Sequence, residues 1–216
     1  MEVPDRTDDV DDMTTVIVPT TIYPPYVMGY SNEMFQPQAP IKRNECAVML
    51  YRLLQQAEPN SAIVNNAKKF KDVSTGTWYN SAVSALTANG IVNGYSDGTF
   101  RPEKAVTRAE FLVLALRFSR TPTETAGKYF SDVPVSHWAA NYIQTAVRNG
   151  FISGYSDGSF RPDIQITRAE AVTMLNRITG RNQCVMSDNI NSFVDVSIEF
   201  WAYQDIMLAA NQAVSN

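Results

Sequence analysis

Three arginines stand in matching surroundings: Arg43, Arg108 and Arg168, each two residues before a glutamate, Glu45, Glu110 and Glu170. In two of the three the glutamate closes the tetrapeptide Thr-Arg-Ala-Glu, at Thr107–Glu110 and Thr167–Glu170. Thr and Glu at that spacing form a capping box, in which each side chain takes up a backbone N–H at a helix start. The box gives the arginine no role. It lies in the first helical turn, at the positive end of the dipole, where a cation is mildly unfavourable. Its repeated placement there calls for an anionic partner. Free N–H groups at a helix start beside a guanidinium fork would receive a carboxylate well. That partner is either a ligand carboxylate or an aspartate of a neighbouring unit: Asp72, Asp132 or Asp195.

Three tryptophans, Trp78, Trp138 and Trp201, also recur at one relative position. Each is open to two readings, a large ring packed into the core at a helix start or a platform for the face of a sugar. Asp97 and Asp157 lie in Ser-Asp-Gly turns. The spacing lacks the alternating oxygens and terminal glutamate of an EF-hand, so they read as turn residues and no metal site is expected. The one histidine, His137, has no partner for zinc or a triad, and Cys46 and Cys184 share no ligand spacing. Cys46 reads as a small buried hydrophobe. Paired carboxylates of a glycosidase would break the repetition, since a single catalytic pair occurs once. No catalytic residue and no cofactor is assigned.

The elements that carry these residues repeat. Phe70-Lys-Asp-Val, Trp78, Gly94-Tyr-Ser-Asp-Gly-Thr-Phe-Arg-Pro and Thr107-Arg-Ala-Glu return sixty positions later, from Phe130 to Glu170. A fixed period of this kind marks stacked units. Two partial copies flank them. Gly29 to Glu45 aligns with Gly94 to Glu110, and Phe193 to Ala202 aligns with Phe130 to Ala139. The register of the halves predicts a closed three-fold assembly, in which 26–56 and 193–216 complete one unit beside repeats at about 70–120 and 130–180. Residues 1–25, with five aspartates, read as a solvated linker.

Each unit should contain an amphipathic helix after its Trp, stopped by Asn-Gly at Asn89-Gly90 and Asn149-Gly150. A Gly-Tyr-Ser-Asp-Gly turn follows, with Arg-Pro leaving it extended. A second helix, apolar nearly all round (Ala47–Tyr51, Phe111–Leu116, Ala171–Leu175), should be buried. Three such helices would form a central bundle, with the amphipathic helices and short extended loops outside. The fold class is therefore mainly α. Gly180 to Ser192 reads as a polar loop.

Repeat one departs from the pattern. Lys42 replaces the capping Thr, Asn32 replaces Asp97, and Glu33 replaces Gly98. The lost cap should cost about 1 kcal/mol, and Glu33 is a poor occupant where φ must be positive. The groove at Arg43 is accordingly expected to be the weakest.

The net charge of −4 and the lack of a basic stripe argue against nucleic acid. No apolar run approaches the roughly 20 residues that span a bilayer, and no signal peptide is visible. The chain thus stays inside a cell or is a piece of a longer secreted one.

Taken together, the four submotifs resemble the S-layer homology motif over Tyr26 to Gln212. The half-full-full-half order looks like the C-terminal surface anchors of secreted proteins of clostridial relatives. The resemblance implies a pseudo-trimeric spindle at the cell surface, with an upstream domain in the same polypeptide. It further implies non-covalent binding of an anionic secondary cell wall polysaccharide, often one bearing pyruvate ketals on N-acetylmannosamine. Neither nucleic acid nor membrane insertion enters this reading. The competing reading is a structural or protein-interaction module of a surface protein without sugar binding.

Overall fold

The computed structural model describes residues 21–62, 70–125, 127, 129–186 and 192–215. Its centre is a ring of backbone hydrogen bonds. Ile41, Val106 and Ile166 occupy one position in three repeats, just before the helix caps, and all three are fully buried. Ile41 N–H donates to Ile166 O (3.1 Å), Ile166 N–H to Val106 O (3.0 Å), and Val106 N–H to Ile41 O (3.0 Å). Three short extended segments thereby satisfy one another without a sheet edge.

From this ring run the three inner helices, α1 (Arg43–Ala57), α3 (Arg108–Phe118) and α5 (Arg168–Ile178). They bury side chains on most of their circumference, among them Met49, Leu50, Phe111, Leu112, Leu116, Val172 and Leu175. They form the expected central bundle. Outside lie α2 (Asn80–Ala88), α4 (Ala140–Arg148) and α6 (Tyr203–Ala210), packed on α1, α3 and α5 respectively. Their apolar stripes face inward, as with Val83 and Leu86, Ile143 and Ala146, and Ile206 and Ala209. The Asn-Gly stops hold: Asn89 and Asn149 cap α2 and α4, and Gly90 and Gly150 follow at φ of +72° and +70°. In sequence each outer helix belongs to the repeat after the inner helix it covers, so adjacent repeats interlock.

Within each repeat the Phe-x-Asp-Val half docks onto the Gly-Tyr half. A Cβ on Gly94, Gly154 or Gly29 would collide with the ring of Phe70, Phe130 or Phe193. That close approach is what requires glycine. The same rings lie 5.7, 5.6 and 5.3 Å from Phe100, Phe160 and Phe35. Asp72 accepts from the N–H of Phe100 and Arg101, both at 2.7 Å. Asp132 does the same for Phe160 and Arg161, and Asp195 for Phe35 and Gln36. To aim two successive N–H groups at one carboxylate, Arg101, Arg161 and Gln36 adopt φ of +58°, +59° and +57°. The exit from the turn is therefore left-handed, not extended as expected for a residue before proline. Glu33 takes φ +59° where its counterparts are glycines, a strained conformation for a residue with a Cβ.

Residues 21–27 meet residues 209–215. β1 (Ile22–Tyr23) and β2 (Val185–Met186) both pair antiparallel with β3 (Ala213–Val214), and Tyr26 and Val27 N–H donate to Ala209 O. Of the segment read as a linker, residues 1–20 lie outside the described residues, and Ile22–Tyr23 are part of this small sheet. The stretch read as a polar loop contains Arg181, 1% exposed, whose guanidinium donates to the carbonyls of Leu208, Tyr23, Pro24 and Asn211. It is a buried strut rather than a loop residue. A cation suits the C-terminal end of α6, where the last carbonyls point out of the helix.

Candidate functional site

The helix starts follow from capping chemistry. Thr107 Oγ1 accepts from Glu110 N–H, and Glu110 Oε2 accepts from Thr107 N–H (3.0 Å). Thr167 and Glu170 repeat the arrangement. At α1 the Lys42 ammonium has no lone pair with which to accept. Asn44 Oδ1 takes the Glu45 N–H instead (2.7 Å), while Glu45 still accepts from Lys42 N–H (2.9 Å). The lost threonine cap does not displace the backbone at the start of α1: Lys42 has φ −87° and ψ 157°, near the −78° and 162° of Thr107. Nor are the first helical N–H groups free. Arg43 and Asn44 donate to Lys104 O and Pro102 O, Arg108 and Ala109 to Ile164 O and Pro162 O, Arg168 and Ala169 to Ala39 O and Pro37 O. The loop of the next repeat covers each helix start, so the anion receptor expected from bare N–H groups does not exist.

The arginine remains. Each passes its Nε to the carbonyl of the motif Phe in the following repeat: Arg43 to Phe100, Arg108 to Phe160, Arg168 to Phe35, at 2.8–3.0 Å. Each guanidinium carbon lies 4.7–5.0 Å from the centroids of that Phe and the motif Tyr: Tyr95 with Phe100, Tyr155 with Phe160, and Tyr30 with Phe35. The carboxylate partner is neither Asp72, Asp132 nor Asp195, which are taken up by their own turns. It is the capping glutamate of the next repeat. Arg108 Nη1 donates to Glu170 (3.0 Å) and Arg168 Nη1 to Glu45 (3.2 Å). Tyr155 and Tyr30 donate to the same two carboxylates at 2.7 Å. Burial, and then this hydrogen bond, push the Tyr30 phenol up to about 12 and raise that of Tyr155.

Two cavities open on these pairs. One, ≈ 370 Å³, places Arg108 and Arg177 beside Tyr155 and Glu170, with Trp201 on its wall. The other, ≈ 330 Å³, places Arg168 and Arg52 beside Tyr30 and Glu45, with Trp78 on its wall. Each draws its arginine, its Tyr–Glu pair and its Trp from three different repeats. The tryptophans are 63%, 58% and 59% exposed at 78, 138 and 201, which removes the core-packing reading. Trp138 lines neither cavity. At the third position Arg43 faces Tyr95, but Glu110 is bound by Lys104 Nζ (3.2 Å), which also donates to Tyr95 Oη (3.0 Å). Sequence reasoning missed the tyrosines and Lys104. The invariant Tyr of the Gly-Tyr turn was the available signal, whereas Lys104 aligns with Ile164 and Ala39 and had none.

Cys46 and Cys184 are buried and unpaired, and burial pushes the Cys46 thiol up to about 12. Among the described residues no helix is long and apolar enough to cross a membrane.

The S-layer homology domain matches residues 26–47, 69–112 and 129–172. Those segments contain the three arginines, their tyrosines and their capping glutamates. The chain is 38% identical over 190 residues to the cellulosome-anchoring protein of Acetivibrio thermocellus, covering 84% of this chain and 41% of that one. Against cell surface glycoprotein 1 of the same organism it is 34% identical over 192 residues, 84% of this chain and 8% of the relative. Against its exoglucanase XynX it is 32% identical over 168 residues, 76% of this chain and 15% of the relative. The chain thus spans less than half the length of these relatives. The matched motifs are those that build the backbone ring, the aspartate-clamped turns and the arginine grooves, and the chain belongs to the S-layer homology domain family.

Proposed function

We propose that residues 26–216 form one anchoring domain, with 26–56 and 193–216 as halves of one repeat, that holds a larger protein non-covalently at the bacterial cell surface. The ligand is an anionic secondary cell wall polysaccharide, and the groove at Arg108 takes the carboxylate of a pyruvate ketal. The observation that carries this reading is the composition of the two cavities: a buried guanidinium, a second arginine, a tyrosine and an exposed tryptophan converge in each. Among the described residues Arg108 Nη2 has no protein partner and exposed Arg177 no ion pair, so a carboxylate entering there meets two cations. Trp201 on the wall offers a face for the sugar ring. At Arg168, Nη2 already donates to Met28 O, which leaves Arg52 as the available cation.

Anchoring agrees with two relatives named for anchoring and for the cell surface. The recurring carboxylates support a binding role over a catalytic one, because every one of Asp72, Asp132, Asp195, Glu45, Glu110 and Glu170 is engaged as a turn clamp or helix cap.

Sedimentation with purified cell walls, before and after acid removal of the ketals, tests the proposal. Wild-type protein should co-sediment with intact walls and remain in solution with treated ones. Arg177→Ala should weaken binding by roughly tenfold, the size of one charged hydrogen bond. Equal binding to treated walls would overturn the ketal, and no binding to either would overturn the anchoring role.

A further inference from the structure

The three arginine positions share one backbone and differ in wiring. At Arg108 and Arg168 the incoming guanidinium is neutralised by the capping glutamate, and the formal charge of the Arg–Glu pair is zero. At Arg43 the glutamate belongs to Lys104, and Arg43 keeps only its Nε bond to Phe100 O. The guanidinium is held in place, 8% exposed and 5.0 Å from the Tyr95 centroid, yet among the described residues both terminal nitrogens have no protein partner. The Lys104 ammonium lies 5.4 Å from the same centroid, with its side chain 43% exposed. The third cation over this ring, Arg101 at 4.0 Å, is paired with Asp97. Arg43, Lys104 and Glu110 therefore sum to +1, where Arg108 with Glu170 and Arg168 with Glu45 sum to 0. The second arginines beside the latter two, Arg177 and Arg52, align with Arg117 and add one charge to each repeat alike.

We infer that Arg43 and Lys104, over the Tyr95 ring, bind a dianionic phosphate monoester on a sugar in preference to a lone carboxylate, and that Lys104 determines this specificity. A guanidinium with two open donors takes two oxygens of one anion. An ammonium is a compact point charge that suits a third oxygen. A phosphate monoester has three oxygens and, above its second pKa near 6, close to two charges. A carboxylate has two oxygens and one charge. The residues that replace Lys104 elsewhere, Ile164 and Ala39, bring no such donor. The expectation that this groove is the weakest rested on repeat one, whereas its tyrosine, glutamate and lysine come from repeat two.

This inference rests on the reading of the grooves as sugar sites, and the test separates the two. The full chain is titrated at pH 7.5 with methyl hexopyranoside 6-phosphate and, separately, with a methyl hexopyranoside carrying a 4,6-pyruvate ketal. Binding is followed by calorimetry and by the side-chain signals of Arg43 and Arg108. The phosphate ester should bind at one position and shift Arg43. Lys104→Ile should weaken it by roughly tenfold, with an unchanged amide spectrum and unchanged ketal binding. Lys104→Arg should retain most of the affinity. Ester binding unaltered by Lys104→Ile, or equal in all three grooves, would overturn the inference. Ester bound at Arg43 with no ketal bound anywhere would support it and remove the ketal from the proposed function.

Discussion

The start of α3 and the start of α1 make the instructive pair. Both give their first two N–H groups to the loop of the next repeat, and both send an arginine Nε to a Phe carbonyl there. Beyond those main-chain contacts they share little. Arg108 is locked into a Glu170–Tyr155 triad, while Arg43 is left with its fork open because Lys104 holds Glu110. The cap differs too, a threonine hydroxyl at one and an Asn44 amide oxygen at the other. The backbone ring fixes where each helix begins, so side chains around it can change partners without moving the frame. Closure depends on the main chain, and chemistry on the side chains.

If that division is right, the largest contrast should come from deleting the arginines. Arg108→Ala leaves Glu170 and the Tyr155 hydroxyl without their charged partner in a mostly buried position, and breaking such a pair costs about 3 kcal/mol. Arg43→Ala removes one neutral-acceptor hydrogen bond and stacking contact, about 1 kcal/mol. Thermal melts of the two variants should differ by about 4–8 °C for a chain of this size. Equal melting temperatures would erase the energetic difference between the grooves.

Capping gives a smaller contrast. Thr107→Ala should cost about 1 kcal/mol, and so should Asn44→Ala, which also loses its bond to Glu103. Lys42→Ala should change urea stability by less than about 0.5 kcal/mol, because Lys42 caps nothing and its pair with Glu103 is exposed. A loss at Lys42 as large as that at Asn44 would return the capping role to position 42.

The smallest effect lies in acid. Asp157 accepts from Ser159 and Arg161, which hold its carboxyl down to about 2, and Asp97 is lowered in the same way by Thr99 and Arg101. A depressed carboxyl contributes stability above its ordinary 3.8 and loses that contribution as pH falls through about 2. Asn32, at the same place in repeat one, has no carboxylate. Asp157→Asn should lower the melting temperature slightly at pH 7, and the gap to wild type should close between pH 4 and pH 2. Asn32→Asp should not reproduce the effect, since Gln36 stands where Arg161 is needed. A gap independent of pH would mean that the turn is stabilised by shape alone.

What the chain revealed in advance were features internal to a repeat. The Thr-x-x-Glu spacing, the Asn-Gly stops and the helical periodicities each involve residues a few positions apart. The arginine partners escaped because Arg108 and Glu170 are separated by a whole repeat, and only the direction in which the ring closes selects the next repeat's glutamate over an aspartate. The left-handed φ of Arg101 escaped because the Asp72 clamp overrides the preference of a residue before proline. Arg181 escaped because its four carbonyl acceptors come from segments with no local signature. Lys104 is a single deviation from two neighbours that lack it, and its meaning emerges only when Tyr95 and Glu110 are seen on either side.

The pairing of the segment at Phe35 with the segment at Asp195 has a consequence for how such a fold comes into being. Asp195, which clamps the turn at Phe35, lies 160 positions after it, and Arg168 reaches back 133 positions to Phe35 O. On a ribosome the N-terminal turn therefore emerges long before the residues that hold it. α1 waits, apolar and half-clothed, until residues 193–210 have been added. Contacts so distant in sequence make assembly late and slow. Residues 26–57 thus leave the ribosome as a thread, and they set as a body only when residues 193–214 arrive.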